Sequence, residues 1–233
     1  MRLVKYINEG VVDYSKEIKN EEVMKTLRKD CKDILIFMER KKLWFSRYYQ
    51  GRFSGLRKIT PRTDRRPLDT PGYLHDMLDT FFNSKFGWKV RSEGVFTWPQ
   101  DKYSIETDAR GDAFFPIGKL HAVFDKSNEV QDLFLWLKDQ WLEIKLDVKY
   151  DVGKKAPNWF KLGEPASLQD PMDLEMRDEY FKLIRSKLMQ NYTSDLSKLG
   201  RANKSEVVWK CSAYYLLDVN QFREMVEAGY FKL

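Results

Sequence analysis

The stretch Lys204-Ser205-Glu206-Val207-Val208-Trp209-Lys210-Cys211-Ser212-Ala213-Tyr214-Tyr215-Leu216-Leu217 decides the fold of this chain of 233 residues. β-Branched and aromatic residues dominate it, and Cys211-Ser212-Ala213 supplies small residues for a bend, so it predicts two short strands joined as a hairpin. Glu206 opens the first strand and shares one face with Val208 and Lys210. A carboxylate there is either a solvated residue at a sheet edge or an acid that faces a cleft.

Helical and strand patterns alternate along the rest of the chain. Apolar residues at three- and four-residue spacing predict helices, and alternation or short aromatic runs predict strands. The predicted helices are Asn20 to Glu39 capped by Asn20, Pro71 to Phe86 capped by Thr70, Val130 to Trp141, Asp170 to Met189, and 219–233. The predicted strands are Leu43 to Tyr49, Trp88 to Thr97, Phe114 to Phe124 and Leu142 to Tyr150. This order indicates an α+β protein with a mixed or antiparallel sheet flanked by helices.

Length and composition favour one domain. A hydrophobic share of 42% is enough to bury a core at this length. We expect an N-terminal helical segment over 1–40, a sheet core over 41–218 and a C-terminal helix over 219–233. No segment approaches the roughly 20 apolar residues of a membrane span, and no signal peptide is evident. Cys31 and Cys211 lie in apolar segments and are predicted to be buried thiols, so we expect a cytoplasmic protein without a membrane partner or a structural zinc site.

Positive charge is concentrated between Glu39 and Arg66. Ten Lys or Arg residues stand there against two acids, whereas the whole chain carries a net charge of +6. Such a stretch predicts contacts with phosphate or with a nucleic acid backbone. The candidate residues are Arg52, Arg57, Arg62, Arg65 and Arg66. Alternatively, Asp64 and Asp69 pair with Arg65 and Arg66 and fix a solvated loop.

Three short motifs resemble a known fold. Arg47 on an early strand, Arg91-Ser92-Glu93 on a middle strand and Glu206 on a late strand resemble the ADP-ribosyltransferase fold, whose split sheet surrounds an NAD cleft. The resemblance covers roughly Leu43 to Leu217. The strings Arg62 to Pro67, Val90 to Phe96 and Phe115 to Lys119 also resemble those of uncharacterised tailed-phage proteins.

The resemblance implies a phage-type enzyme of the host cytoplasm that uses NAD as a substrate, as an ADP-ribosyltransferase or an NAD glycohydrolase. The acceptor would be a host protein or nucleic acid. Arg47 would hold the NAD phosphates, Ser92 would fix the strand beside the nicotinamide ribose, and Phe96 or Tyr103 would stack on nicotinamide. Glu206 would stabilise the oxocarbenium-like cation that forms as nicotinamide leaves.

The sequence departs from the family at two positions. Lys204 stands where arginine-specific members carry Gln or Glu, and Arg91-Ser92-Glu93 stands where the family has Ser-Thr-Ser. A non-enzymatic phage protein, structural or nucleic-acid-binding, that retains the fold is therefore an alternative.

A third interpretation is a metal-dependent nuclease. Glu143 and Lys145 form a Glu-x-Lys pattern on an apolar strand, with Asp125 or Asp132 upstream as a further magnesium ligand.

His75 lies beside the apolar stripe of its helix and is predicted to be a surface residue. The segment Asp151 to Asp170 is predicted to be a loop, either a cover over a site or a connection.

Overall fold

A computed structural model describes residues 10–12, 19–48, 54–66, 72–107, 111–130, 132–133, 136–137, 139–140 and 174–233. The strands in this part are β1 Gly10–Val12, β2 Trp44–Arg47, β3 Leu56–Thr60, β4 Val95–Gln100, β5 Asp112–Pro116, β6 Ala122–Asp125, the two-residue β7 Tyr192–Thr193, β8 Val207–Trp209 and β9 Tyr214–Leu217. The α-helices whose two ends the described residues give are α1 Asn20–Asp30, α2 Lys32–Lys41, α3 Gly72–Phe86, α4 Val90–Glu93, α5 Lys102–Thr107, α6 Leu174–Asn191 and α7 Val219–Glu227.

The strands form one open sheet in the order β1-β3-β9-β5-β2-β4-β8-β6-β7. Every neighbouring pair is antiparallel. Helices pack on this sheet, and the protein is therefore α+β as predicted.

β8 and β9 are strands as predicted, but they do not pair with each other. Three strands, β5, β2 and β4, separate them in the sheet, so the predicted hairpin is wrong. Four strand spacings of about 4.8 Å make roughly 19 Å across a flat sheet, which exceeds the roughly 18 Å that the five steps from Trp209 to Tyr214 reach when fully extended. The sheet curls instead: the Phe114 ring lies 6.1 Å from that of Trp209 and 5.1 Å from that of Tyr214.

The link between β8 and β9 is held by other parts of the chain. The Lys210 N–H donates to the His121 carbonyl at 2.9 Å, and the Ile117 N–H donates to the Ala213 carbonyl at 3.0 Å. Because these backbone groups bond outward, the small residues of the link carry the chain across the curled sheet rather than closing a tight turn.

The predicted N-terminal helix is broken in two. Cys31, with φ −125° and ψ 29°, separates α1 from α2. The predicted apolar stripe is buried on both sides of the break at Val23, Leu27, Cys31, Ile34 and Met38, whereas its sixth member, Leu35, is half-buried. Asn20 does not cap α1, because Lys19 occupies the N-cap position and Asn20 Oδ1 accepts a hydrogen bond from Gln221 Nε2 at 3.0 Å.

The predicted strand Trp88 to Thr97 is wrong in its first half. Residues 90–93 form α4, and β4 begins only at Val95. The buried carboxylate of Asp79 on α3 accepts hydrogen bonds from the Arg91 and Ser92 N–H groups at 2.8 and 3.3 Å, which satisfies the first turn of this short helix. Sequence alternation alone could not show that partner.

The predicted close approach at Gly94 is to the chain itself. A Cβ atom there would lie 2.2 Å from Val208 Cγ1 and 2.4 Å from the Val90 carbonyl oxygen. Glycine is therefore required where α4 passes into β4 against β8.

Other predicted elements are confirmed in part. The α3 stripe Leu74, Met77, Leu78, Phe81 and Phe82 is buried, and the helix ends before Gly87, whose φ is +77°. The predicted strand Phe114 to Phe124 is two strands, β5 and β6, which pair with different neighbours. The predicted C-terminal helix ends at Glu227. Thr70, Pro71 and the elements predicted between 142 and 173 lie outside the described residues.

Two apolar clusters meet at β4 and β8. Val95 pairs with Trp209, and both lie in the cluster that includes α1, α2 and α7. Phe96 pairs with Val208 and packs in the other cluster, with α3 and α6. Side chains that alternate along β4 and β8 thus reach different clusters, and Glu206, two residues before Val208, belongs to the side of Phe96.

Both cysteines are free thiols. Cys31 is buried as predicted, and burial raises its pKa to about 12, whereas Cys211 is only partly buried. Within the described residues, no helix has the length and apolar character needed to cross a membrane.

Candidate functional site

Glu206 is not a solvated edge residue, because it precedes a strand inside the sheet and is only 9% exposed. The turn before it is anchored by Asn128, which adopts φ +64°. Asn128 Oδ1 accepts hydrogen bonds from the Lys204 N–H at 3.0 Å, from Asn203 Nδ2 at 3.3 Å and from Ser205 Oγ at 3.4 Å. These bonds and the pairing of β8 with β4 and β6 fix the backbone that carries the carboxylate.

Burial raises the pKa of Glu206 to about 7. Arg91 lowers this pKa, Asp132 raises it, and a hydrogen bond with the Leu133 backbone and the charge of Arg65 lower it. The carboxyl group therefore exchanges its proton near neutral pH, which is the range in which a buried acid can act as an acid, a base or an anion.

Two arginines lie beside Phe96 on the same side of β4 as Glu206. The guanidinium carbon of Arg91 is 5.1 Å from the centre of the Phe96 ring, and that of Arg65 is 5.3 Å from it. Arg65 also donates from Nη1 to the Gly94 carbonyl at 2.8 Å. We call Glu206, Arg65, Arg91 and Phe96 the Glu206 cluster, which places one acid and two fixed cations around a half-buried aromatic ring.

Ser92 lies on a helix instead of the predicted strand. Its hydroxyl donates to Asp79 Oδ2 and lies 3.0 Å from His75 Nε2. His75, 3% exposed, also places Nε2 3.3 Å from Asp79 Oδ2. The prediction of a surface histidine is therefore wrong, because these polar partners make burial of the ring possible.

Asp79, His75 and Ser92 do not form a nucleophilic triad. Burial raises the Asp79 pKa, but hydrogen bonds from His75, Ser92 and the Arg91 N–H outweigh burial and leave it below the ordinary value. Serine and aspartate both contact Nε2 of the imidazole, whereas activation of a serine requires the aspartate on Nδ1. The group is a buried polar support for α4.

Arg47 does not converge with Glu206. Ser46 pairs with Trp98, which shares a face with Phe96, so the next residue, Arg47, points to the opposite face. Its guanidinium carbon lies 5.4 Å from the centre of the Tyr214 ring, and its Nη1 donates to the Phe96 carbonyl at 3.1 Å.

Tyr103 also lies apart from the Glu206 cluster. It is on α5, which follows the far end of β4 from Phe96, and is 74% exposed. Of the four residues predicted to bind the cofactor, the structure places Phe96 on the same side of the sheet as Glu206 and Ser92 next to Arg91, but it leaves Arg47 and Tyr103 elsewhere.

The predicted arginine cluster is divided among different partners. Arg62 forms a forked pair with Asp64 at 3.0 and 3.1 Å, so Asp64 pairs with Arg62 rather than with Arg65. Arg66 is exposed and lies 3.7 Å from Asp76. Arg57 on β3 lowers the pKa of Asp112. Arg52 and Asp69 lie outside the described residues.

The residues of the predicted nuclease site are not gathered in the described part of the chain. Glu143 and Lys145 lie outside it. Asp132 raises the pKa of Glu206. Asp125 is buried, and its carboxylate accepts hydrogen bonds from the Ser127 and Val130 N–H groups at 2.8 and 2.7 Å. The described residues contain no group of three or more His, Cys, Asp or Glu that could hold a metal ion.

No family model, curated protein or solved structure matches this chain. What the Glu206 cluster can do therefore follows from its own chemistry. A carboxylate that ionises near neutral pH, beside two arginines, can stabilise a developing positive charge while the arginines bind an anionic part of the same ligand.

Sequence reasoning missed Arg91, Asp79 and His75 as parts of the site. Arg91 stood inside the motif Arg91-Ser92-Glu93, but its assignment to a strand gave the leading role to Ser92. Asp79 and His75 are one helical turn apart on α3, a spacing that places two side chains on one face. That spacing was the available signal for a buried pair.

A cleft of about 750 Å³ is lined by Glu93 and Lys210 among others and by no residue of the Glu206 cluster. Residues two apart on a helix point in nearly opposite directions, so Arg91 faces Phe96 and Glu93 faces the cleft. Glu93 Oε2 lies 3.3 Å from Lys210 Nζ there, and Lys210 lies over the Trp88 ring at 5.6 Å. The cleft walls thus contain an ion pair with its charges already balanced.

Proposed function

We propose that this chain binds NAD at the Glu206 cluster and cleaves the bond between nicotinamide and ribose, acting as an ADP-ribosyltransferase on a host protein or nucleic acid or as an NAD glycohydrolase. The observation that carries the proposal is the buried Glu206 carboxylate, which Arg91 and Arg65 face from the same side of the sheet. The guanidinium carbons of both arginines lie within 5.3 Å of the centre of the half-buried Phe96 ring.

Cleavage of the bond between nicotinamide and ribose requires a negative charge near the ribose and positive charges near the phosphates. As the bond from C1′ to the nicotinamide nitrogen breaks, its electron pair leaves with nicotinamide, and positive charge develops on the ribose. An ionised Glu206 stabilises that charge in a site with little water. The nucleophile of an acceptor, or water, then bonds to C1′ and loses a proton. Arg65 and Arg91 suit the diphosphate, because guanidinium groups bind phosphate oxygens in pairs.

We also infer that the curled sheet is a split sheet of the ADP-ribosyltransferase type. A glutamate before a late strand that pairs with two interior neighbours, and an aromatic residue on the adjacent strand β4, support this inference. The roles of two residues change from those that the sequence predicted. Arg65 and Arg91 replace Arg47 as phosphate contacts, and Ser92 supports α4 instead of lining the nicotinamide ribose.

Release of nicotinamide from NAD by the purified protein, with and without host lysate, tests the proposal. Glu206→Gln keeps the shape of the side chain and removes its charge, so we expect release to slow by about 100-fold or more. Glu93→Gln is the matched control, because Glu93 faces the cleft beyond α4 and pairs with Lys210. It should retain the wild-type rate.

Arg91→Gln tests the proposed phosphate contact through NAD binding. Loss of one phosphate contact should weaken NAD binding in calorimetry by roughly 10- to 150-fold, the equivalent of about 1.5 to 3 kcal/mol for a hydrogen bond to a charged group. Wild-type protein that neither binds NAD nor releases nicotinamide would reject the proposal and favour the non-enzymatic alternative.

A further inference from the structure

Asp79 connects α3 to the backbone of the residue that faces Glu206. Asp79 Oδ1 accepts the Arg91 N–H at 2.8 Å and the Ser92 N–H at 3.3 Å, and Oδ2 accepts the Ser92 hydroxyl. His75, one turn earlier on α3, supports the same oxygen through Nε2 at 3.3 Å. Asp79, His75 and Arg91 are all buried.

The short helix α4 depends on this support. It has four residues, and isolated helices of this length are unstable because nucleation costs more than so few hydrogen bonds return. Its own backbone bonds run from the Glu93 N–H to the Lys89 carbonyl at 2.8 Å and from the Gly94 N–H to the Val90 carbonyl at 3.1 Å. The direction in which Arg91 leaves the helix is therefore set largely by the anchor at its first turn.

We propose that Asp79 is a positioning residue, which holds α4 so that the Arg91 guanidinium faces the Glu206 carboxylate. The inference deepens the proposed function, since its catalytic meaning rests on NAD cleavage at the Glu206 cluster. Its test needs no NAD, because Arg91 is the charge with the largest effect on the ionisation of Glu206.

The sign of the effect separates positioning from simple electrostatics. Several charged or titratable groups face Glu206. They are Arg91 on α4, Arg65 in the loop before α3, Asp132 in the segment after β6 and Tyr192 on β7, and the Leu133 backbone also faces it. Removal of the Asp79 negative charge makes Glu206 easier to ionise and lowers its pKa. Release of Arg91 from its position makes Glu206 harder to ionise and raises its pKa.

Carbon-13 NMR of the glutamate carboxyl groups can follow the titration of Glu206, with the signal assigned by its loss in Glu206→Gln. We expect Asp79→Ala to raise the Glu206 pKa by about one unit, the lower end of the effect of a nearby opposite charge. Arg91→Gln should raise it by a similar amount. The double variant should give no further rise, because the two changes remove the same interaction.

Asp218→Ala is the matched control. Asp218 caps α7 through the Asn220 and Gln221 N–H groups at 3.0 and 3.1 Å, so its loss removes a carboxylate from a first helical turn of a different helix. It should leave the Glu206 pKa unchanged. If Asp79→Ala does not fold, Asp79→Leu, which keeps much of the side-chain volume and removes both acceptor oxygens, carries the same prediction of a rise.

A fall or no change in the Glu206 pKa in Asp79→Ala would overturn the inference, and so would additive effects in the double variant. The inference and the proposed function can fail separately. A raised Glu206 pKa in a protein that never releases nicotinamide would support positioning and reject NAD cleavage. Nicotinamide release by the wild-type protein, together with an unchanged Glu206 pKa in Asp79→Ala, would support NAD cleavage and reject positioning.

Discussion

The indole N–H of Trp209 on β8 donates to Thr97 Oγ1 on β4 at 2.9 Å, and both side chains are fully buried. Thr97 Oγ1 in turn donates to the Val207 carbonyl at 3.0 Å. One hydroxyl thus satisfies two buried groups of β8, the strand that Glu206 precedes. Loss of such a partner destabilises the folded protein, because the buried group then has a hydrogen bond neither to the protein nor to water.

Thr97→Val should lower the free energy of unfolding by about 1 to 3 kcal/mol, the cost of leaving a buried donor without a partner. The volume of the side chain is nearly unchanged, so the loss reports the hydroxyl. Urea denaturation of both proteins measures it. Thr97→Ser keeps the hydroxyl and serves as the control, and a serine variant as unstable as the valine variant would contradict this explanation.

Lys85 on α3 joins two helices through its ammonium group. Its Nζ donates to the carbonyls of Leu188 at 3.1 Å, Met189 at 2.6 Å and Tyr192 at 2.8 Å, which lie at and just after the end of α6. Burial lowers the pKa of Lys85, and Lys126 lowers it further, but the three acceptors use all three of its protons.

Lys85→Met should lower the free energy of unfolding by about 1.5 to 3 kcal/mol, because the last carbonyls of α6 lose a charged donor. Lys182→Met, at an exposed position of α6, should stay within about 0.5 kcal/mol of wild type. Chemical denaturation of the three proteins gives the comparison. Equal losses in the two variants would show that the ammonium group does not cap α6.

Gly94→Ala should be strongly destabilising. Its Cβ would lie 2.2 Å from Val208 Cγ1 and 2.4 Å from a backbone oxygen, so either α4 or β8 must move. Overpacking of this kind costs about 1 to 3 kcal/mol. Gly200→Ala is the control, since no atom lies within 4 Å of the added carbon there. Thermal unfolding that shifts equally in both variants would contradict the close contact between Gly94 and Val208.

Stability should fall as the pH rises from about 5 to 8. Burial raises the Glu206 pKa from 4.5 to about 7, so in this interval the folded protein holds a proton that the unfolded chain has released. At about 1.36 kcal/mol per pKa unit, up to about 3 kcal/mol of stability is lost once the pH passes 7. Glu206→Gln should flatten this dependence in urea denaturation at several pH values. A slope unchanged from wild type would show that Glu206 titrates normally.

Asp112 provides an independent contribution of the same sign. Burial and the nearby charge of Asp218 raise its pKa from 3.8 to about 7. Asp112→Asn should therefore also reduce the loss of stability towards pH 8, and its effect should add to that of Glu206→Gln if the two groups are energetically independent. Denaturation of the double variant at several pH values measures the combined effect. If its stability depends on pH as steeply as that of either single variant, the two groups are not independent.

Patterns that depend on local spacing could be predicted from the sequence. The stripe of α3 and the strands β8 and β9 follow from apolar periodicity, which reflects burial of one face of a helix or of both faces of a strand. The pairing partners of β8 and β9 could not be predicted. A short strand that is apolar on both faces fits any interior place in a sheet, and the turn-like residues between the two strands suggested a hairpin.

Long-range anchors account for the other differences. Residues 88–97 alternate like a strand, but the Asp79 carboxylate, twelve residues before Arg91, turns part of them into α4. The same difference is why the proposed phosphate contact is Arg91 and not Arg47. For Glu206 the strand pattern left open a solvated edge residue or an acid that faces a cleft, because the pairing partners of β8 decide its burial.

The crossing between β8 and β9 also orders the assembly of the protein. β8 lies between β4 and β6, while β9 lies between β3 and β5, so both halves of the sheet remain incomplete until residues 207–217 are in place. During synthesis on a ribosome, the earlier strands must wait for this segment with exposed edges. The Glu206 cluster therefore forms in the same late step that closes the sheet, and a nascent chain that has not completed its fold lacks this cluster.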